Sequence, residues 1–328
     1  MNQHEKVSQF LPVYAVILIL AVMASIYRPG YFSAEMVYMM LRQAAALGVL
    51  SIGHMFVMAS GGTDLSLDAN MMTTMVIFMS FHNKLGAQWL PVGILVALIA
   101  ALIMGAFNGF LVTQFNVAAF LITMFTAEFI NGIRRIIVSV TPMGPLPEAI
   151  AVFVKGEQRG EFPYAAYILF AVAIIAYFIL NMTSFGRKLS LVGANSKAAE
   201  LCGIRVKRIK MLVFCISGAF SLLAAIIIAG YTGYVDQETL ASGMAFNSLI
   251  AVVLGGTVLG GGRATVIGTV GGALATTLIL NVVVLFGFEI QHQYVFKGLI
   301  LLAVVLISSL TGNTGFMKLR TKKFGIRA

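Results

Sequence analysis

Few residues of this 328-residue chain are placed to do chemistry. The histidines are scattered, at His4, His54, His82 and His292. No His-Glu-x-x-His zinc motif occurs, and Cys202 and Cys215 form neither a disulfide framework nor a metal-binding pair. The glycine-rich run at residues 255–263 lacks the lysine of a phosphate-binding loop. We therefore predict no catalytic residue, no metal site and no bound cofactor in this chain.

The charged residues inside apolar stretches are equally sparse. Arg42 and Glu128 lie well within predicted helices, and Asp64 and Asp68 lie at a helix break. Carriers driven by ion gradients usually carry paired acids or proton relays in the middle of the membrane. An ion-coupled secondary carrier is therefore a less favoured alternative for this chain.

Uncharged polar residues are more common than charged residues inside the apolar stretches. Asn108, Asn131, Asn247 and Asn281 interrupt otherwise apolar stretches. A carboxamide can donate to and accept from a sugar hydroxyl, or it can bridge two membrane helices. Both roles stay open for these asparagines. Gln43 and Arg42 are candidates for a wet entrance, and His54 is expected to be a hydrogen-bonded interior histidine.

The elements that carry these residues must lie in a bilayer. The chain is 59% hydrophobic and 10% charged, whereas an ordinary soluble domain is roughly 25% charged. Its net charge of +10 is spread between apolar stretches, which argues against a nucleic-acid partner. We predict an all-α polytopic membrane protein, a single transmembrane domain over residues 1–328.

A spanning helix needs about 20 mostly apolar residues. Ten segments fit: residues 10–27, 36–60, 67–81, 89–112, 117–137, 164–180, 211–229, 245–258, 264–286 and 294–310. The third and eighth are short, and each adjoins a glycine-rich break. Gly-Gly-Thr occurs at residues 61–63 and again at 255–257, so we predict two related halves with broken helices, as in many transporters.

The basic residues predict the orientation. Residues 184–210 contain seven Lys and Arg, and the tail at residues 311–328 contains five. Cytoplasmic loops are enriched in Lys and Arg, so both segments, and both termini, are predicted to be cytoplasmic. The proline-rich segment 139–161 is then extracytoplasmic.

Three motifs carry a family resemblance. They are GGTDLSL at residues 61–67, GANSKAAELCGIRV at 193–206 and IAVVLGGTVLGGG at 250–262. In this order they resemble the permease subunits of ribose/xylose-type ATP-binding cassette importers, over residues 42–310. The resemblance implies import of a sugar across the bacterial cytoplasmic (inner) membrane. Nucleosides, autoinducers and branched-chain amino acids are alternative solutes.

The resemblance also implies partners. These are a second permease subunit, identical or related, an extracytoplasmic sugar-binding protein, and a cytoplasmic ATPase that binds ATP and Mg. The chain departs from the family pattern in several places, among them His54-Met55, where a Met-Thr pair is expected, and Val117-Ala118-Ala119, where a proline is expected. Asp68 stands where the family usually has glycine, and Asn247 stands where it usually has an acid.

The second motif predicts the ATPase-coupling element. Its residues are Gly193, Ala194, Asn195, Ala198, Ala199, Gly203 and Ile204. We expect Asn195 to cap a short helix whose small face, formed by Ala194, Ala198 and Ala199, fits a groove on the ATPase. The alternative is a basic loop without a partner.

The predicted helix breaks and translocation path comprise ten residues. They are His54, Gly61, Gly62, Asp64, Asn108, Asn131, Asn247, Gly255, Gly256 and Asn281. For Asp64 a structural role, accepting backbone N–H groups as the N-cap of the next helix, is preferred over substrate contact. For the 255–262 run, close packing is preferred over lining a path.

Overall fold

The computed structural model describes residues 11–138, 146–156, 162–233, 243–289, 292–300 and 302, and within them every regular element is helical. The helices are α1 Leu11–Tyr27, α2 Ala34–Ala59, α3 Leu67–Leu85, α4 Leu90–Phe115, α5 Ala119–Ile137, α6 Glu148–Lys155, α7 Tyr164–Met182, α8 Ser184–Ala194, α9 Ser196–Leu201, α10 Val206–Thr232, α11 Met244–Leu254 and α12 Val266–Leu285. A 3-10 turn, Ala87–Trp89, precedes α4, and residues 292–300 are helical. The predicted all-α class is confirmed.

Five of these helical segments are long and apolar enough to cross a membrane by length and composition: Ala34–Ala59, Ala87–Phe115, Tyr164–Met182, Val206–Thr232 and Val266–Leu285. The predicted short third and eighth helices correspond to α3, of 19 residues, and α11, of 11 residues. Most of the predicted tenth helix and the whole basic tail lie outside the described residues, as do parts of segment 139–161.

Two loop assignments were incomplete. Segment 139–161, predicted as a loop, contains α6, whose Ile150 and Val154 are buried against Gly230 of α10. Segment 184–210 contains α8, α9 and the first turn of α10 rather than one short helix. Helices α6, α8 and α9 are short and depend on tertiary burial, because isolated helices below about 12–15 residues are marginal in water.

The core is built around α2 and α10, which pack on each other through small residues. Gly53 of α2 faces Phe220 of α10, and Gly105 of α4 lies against the backbone of Phe214. Without a Cβ at these positions the helix axes approach closely, and close van der Waals contact is what holds membrane helices together. Large apolar side chains of α4 and α7, such as Ile103 and Phe170, point outward and suit lipid.

The two helices that enter the breaks end in the same way. In α2 the Gly62 N–H donates to Val57 O and the Gly61 N–H donates to Met58 O. In α11 the corresponding bonds run from Thr257 to Val252 and from Gly256 to Val253. Each pair is a Schellman motif, and its left-handed residue is a glycine, with φ of 85° at both Gly61 and Gly256. A non-glycine residue would be strained at this φ.

Candidate functional site

A buried polar network occupies the break between α2 and α3. The Asp64 carboxylate lies at its centre, buried, and accepts bonds from the Ser66 N–H at 3.0 Å and the Ser66 hydroxyl at 2.6 Å. Ser217 of α10 donates to the other carboxylate oxygen at 2.8 Å. Helix α3 begins at Leu67 with Ser66 as its N-cap. Asp64 therefore holds the backbone just before the helix, as preferred from the sequence, but it is not itself the N-cap.

His54 connects this break to the second half of the chain. Its Nε2 accepts the Asp64 backbone N–H at 3.3 Å, so the proton of the neutral ring is on Nδ1. That Nδ1–H donates to Ser248 Oγ of α11 at 2.7 Å, and the Ser248 hydroxyl donates to Ala245 O. Both ring nitrogens have partners, which agrees with the interior role expected for His54.

Two of the candidate asparagines act within and between helices. Asn108 of α4 is buried and donates through Nδ2 to Ser66 Oγ at 2.7 Å, which ties α4 to the first break. Asn131 accepts a bond from Arg134 of the same helix at 3.0 Å. Neither lines the large cavity described below. The Asn108 bond fits the bridging interpretation, whereas the Asn131 bond stays within α5.

Asp68, one of the departures from the family pattern, bonds the start of α11, the helix that carries Asn247. Asp68, on the first turn of α3, accepts backbone N–H bonds from Gly243 and from Ala245, at the start of α11. Asn247 lies two residues after Ala245 in α11. The Asp68 carboxylate thus ties α3 to the start of α11. A carboxylate at this position complements the free N–H groups and the positive end of α11.

The second break is held by backbone packing. Gly255 lies directly against the peptide of Gly268 in α12, and a Cβ on either glycine would collide with the backbone of the other. Gly272 makes the same kind of contact with Ala251 O. Gly255 and Gly256 do not line the large cavity. This agrees with the preferred packing role.

The three motifs converge at one end of the molecule, in what we call the glycine junction: Gly61, Gly193, Gly261 and Gly262. Gly193, near the end of α8, abuts the carbonyl of Ala59 and the N–H of Gly262. The Gly262 N–H donates to Ala59 O at 3.0 Å. The backbone of the predicted coupling segment therefore touches both helix breaks directly.

The coupling segment differs in part from its prediction. Asn195 caps α9 as expected, with Oδ1 accepting the Ala198 N–H at 3.0 Å, and Gly203 follows in a left-handed conformation. Ala199, however, is 3% exposed and packs into the subunit's own core, so it does not belong to the exposed face. The spacing of residues 194, 198 and 199 suggested one face, but α8 ends at Ala194 and α9 starts anew at Ser196.

Sequence reasoning missed Leu201, the last residue of α9. Its side chain is 91% exposed, beside exposed Cys202. Ala198 and, at the end of α8, Ala194 are also exposed. We call Ala198, Leu201 and Cys202 the α9 face. A leucine within a motif of small and polar residues was the signal available in the sequence.

A cavity of about 520 Å³ lies between α2, α10, α11 and α12, near the end of the molecule where α1 joins α2. Its polar lining residues are Arg28, Tyr31, Gln43, Tyr231, Asn247, Thr277, Asn281 and Gln293. Two of the ten predicted path residues, Asn247 and Asn281, are among them, together with the proposed entrance residue Gln43. Gly61 and Gly62 instead line a smaller cavity of about 220 Å³ beside the glycine junction.

The lining of the larger cavity is cross-linked by amides. Asn281 Nδ2 donates to Gln43 Oε1 at 2.9 Å and to Thr277 O at 2.8 Å. The Tyr31 hydroxyl donates to Asn281 O at 3.4 Å. Burial raises the pKa of the Tyr31 phenol, although Arg28 opposes this, so the hydroxyl is neutral. The site can offer neutral donors and acceptors to a solute.

A family model described as branched-chain amino acid transport system / permease component matches residues 36–305. No solved structure matches the chain.

Curated relatives match over nearly their whole length. The chain is 30% identical to the ribose import permease protein RbsC of Bacillus subtilis (strain 168), over 92% of this chain and 93% of the relative. It is 33% identical to the probable ABC transporter permease protein YphD of Escherichia coli (strain K12), over 90% and 88%. It is 30% identical to the autoinducer 2 import system permease protein LsrC of Enterobacter sp. (strain 638), over 93% and 87%.

Proposed function

The chain belongs to the branched-chain amino acid transport system / permease component family, and from this premise we propose that it is the membrane-spanning subunit of an ATP-driven sugar importer. The substrate class rests on the relatives, among which a ribose import permease matches almost end to end. The proposed partners are a second permease subunit, a cytoplasmic ATPase and an extracytoplasmic sugar-binding protein. The proposed location is the bacterial cytoplasmic membrane, with both termini in the cytoplasm.

The glycine junction is the observation that carries the ATP-driven mechanism. The α9 face is exposed on one side of the coupling segment, and Gly193 touches both breaks on the other. An ATPase bound to the α9 face would move α8 and α9, and this backbone contact would pass the displacement to α2 and α11. Small shifts propagate in this way because packed glycine contacts cannot compress.

The docking surface is proposed to be the α9 face, centred on Leu201. Burying a leucine side chain in a partner groove is worth about 1.5–3 kcal/mol. The flanking Lys197 and Arg205 are also exposed and add positive charge at the rim. We expect Leu201→Asp to weaken ATPase pull-down by about tenfold or more, since 1.4 kcal/mol corresponds to a factor of ten. Membrane abundance of the variant should be unchanged, because Leu201 is not packed within the subunit.

The native cysteine beside Leu201 provides the test. In a Cys215→Ser background Cys202 is the single cysteine, and it is exposed. A membrane-impermeant maleimide should label it in inverted vesicles and not in right-side-out vesicles, and the added ATPase should protect it. Leu201→Asp should abolish that protection. Labelling from the outside would contradict the orientation, and labelling that the ATPase does not reduce would contradict the docking surface.

A second candidate substrate is supported by one observation. The autoinducer 2 import permease is as similar to this chain, at 30% identity, as the ribose import permease is. Uptake by the assembled importer should therefore be measured for autoinducer 2 beside the sugars. The solute that is taken up in an ATP-dependent manner decides between the two.

A further inference from the structure

The cavity between α2, α10, α11 and α12 has the dimensions of a ligand site. Its volume of about 520 Å³ falls in the range of small-molecule pockets, roughly 300–1,000 Å³. Much of the lining is apolar, with Met36, Leu47 and Ile228 among the residues, and a few polar groups project between them. That combination is typical of pockets that orient a small polar solute by its functional groups.

One lining group lacks a partner. Asn247 is 6% exposed, and its Oδ1 is buried without a hydrogen bond. Its Nδ2 makes only a long contact of 4.0 Å to Met244 Sδ. An unsatisfied buried amide oxygen costs about 1–3 kcal/mol, and in a native structure such a group calls for an explanation. Exchanging the oxygen and nitrogen of the amide would still leave one polar atom unpaired.

The backbone under Asn247 is held firmly in place. Asp68 binds the N–H groups of Gly243 and Ala245, and Ser248 is bonded to His54. Across the cavity, Gln43 and Asn281 are bonded to each other. An unpaired polar side chain carried by a fixed backbone at the wall of a cavity is partly preorganised for a ligand, because little backbone entropy is lost when the ligand binds.

The chemical groups that line the cavity indicate which class of ligand it can bind. None of the described residues that line the cavity is acidic, and the one charged group among them is the Arg28 guanidinium. A solute carrying an ammonium group would find no counter-charge in this lining, whereas amides and a neutral phenol suit hydroxyl groups. A sugar hydroxyl both donates and accepts, so it satisfies either atom of the Asn247 amide, and the C–H face of a sugar can lie on the apolar wall.

We propose that this cavity is a binding site for a neutral polyhydroxylated solute in transit, in which the Asn247 carboxamide bonds a substrate hydroxyl. The permease then contributes to selectivity in addition to any selection by a binding protein. This inference rests on the proposed function, since it requires that a sugar passes through the subunit.

The test uses the complete importer in proteoliposomes, with the sugar-binding protein saturated by each sugar so that its own affinities do not enter the rate. Uptake is measured for D-ribose and D-galactose and for their monodeoxy analogues. The wild-type protein should transport the parent sugar faster than at least one analogue. The ratio of the uptake rate of the parent sugar to that of the analogue measures the contribution of one hydroxyl group. Asn247→Leu should reduce this ratio by about tenfold for one hydroxyl position, as expected for the loss of one hydrogen bond.

The matched control is Asn181→Leu, at an exposed asparagine of α7 whose side chain is bonded to its own helix; it should leave every ratio unchanged. If Asn247→Leu is not recovered from the membrane, Asn247→Ala takes its place. Wild-type ratios for every analogue in these variants would overturn the inference while the proposed function stands. Failure of the wild-type importer to take up any sugar would overturn both.

Discussion

The two helix breaks solve one structural problem with different chemistry. Both follow a Schellman motif, yet the first is held by side chains and the second by backbone. At the first break the Asp64 carboxylate collects bonds from Ser66 and Ser217. At the second, Gly255 and Gly268 bring two backbones into contact. Irregular backbone is tolerated at membrane depth only where protein or water satisfies it, and the two breaks represent two ways of achieving this.

The difference is visible at one pair of equivalent positions. When the two Schellman motifs are aligned by their hydrogen bonds, Ser60 corresponds to Gly255. This alignment is shifted by one residue from the alignment of the two Gly-Gly-Thr sequences. The Ser60 hydroxyl donates to Val57 O at 2.7 Å, whereas Gly255 can carry no side chain at all. The first break should therefore be sensitive to the loss of polar groups, and the second to the addition of any atom.

The largest effect is expected from Asp64→Leu. It leaves the Ser66 N–H, the Ser66 hydroxyl and the Ser217 hydroxyl without their acceptor, at about 1–3 kcal/mol for each buried donor. The variant should be lost from the membrane or show a strongly reduced midpoint of thermal unfolding in detergent. Asp64→Asn keeps an oxygen acceptor for Ser66 and should stay folded. If Asp64→Leu and the wild type were equally stable, the polar network would not be what stabilises the first break.

A reciprocal exchange at the equivalent pair is expected to have the next largest effect. Gly255→Ser should cost about 3 kcal/mol, because its Cβ meets the Gly268 peptide and not a mobile side chain. Ser60→Gly should cost about 1 kcal/mol, the worth of one hydrogen bond. Thermal midpoints of the purified variants measure both. Gly132→Ala, where a Cβ meets nothing within 4 Å, is the control, and similar losses in the two exchanged variants would contradict the comparison.

The smallest effect is expected at Asp68, which joins α3 in the first half of the chain to α11 in the second half. Asp68→Ala removes the acceptor of two N–H groups at the start of α11 and should cost about 1 kcal/mol, as for the loss of an N-cap. Asp68→Asn retains one acceptor and should cost less. The thermal midpoint should fall in that order, while Glu200→Ala, on the exposed surface of α9, should leave it unchanged. A neutral Asp68→Ala would mean that α11 is held without α3.

Sequence reasoning reached the site unevenly. It identified the breaks, the Asn195 cap and three cavity residues, Gln43, Asn247 and Asn281, because turn chemistry and polar residues in apolar helices are local signals. It misplaced Ala199 and passed over Leu201, since the direction in which each side chain points depends on where α8 ends. It grouped Asn108 and Asn131 with the helix breaks and path; the partner of Asn108 lies at the first break and that of Asn131 on its own helix, α5.

Composition and pattern by themselves determined that the chain is a helical membrane protein with two broken helices, because the bilayer demands long apolar helices and glycine is needed where the backbone turns left-handed. Only the tertiary structure decided that the three motifs meet at one glycine junction, that Asp68 supplies a carboxylate to α11, and that Asn247, whose buried amide oxygen is unpaired, lines a cavity. These are relations between segments up to about two hundred residues apart, and no local propensity encodes them. They depend on which helices pack together and at what distance.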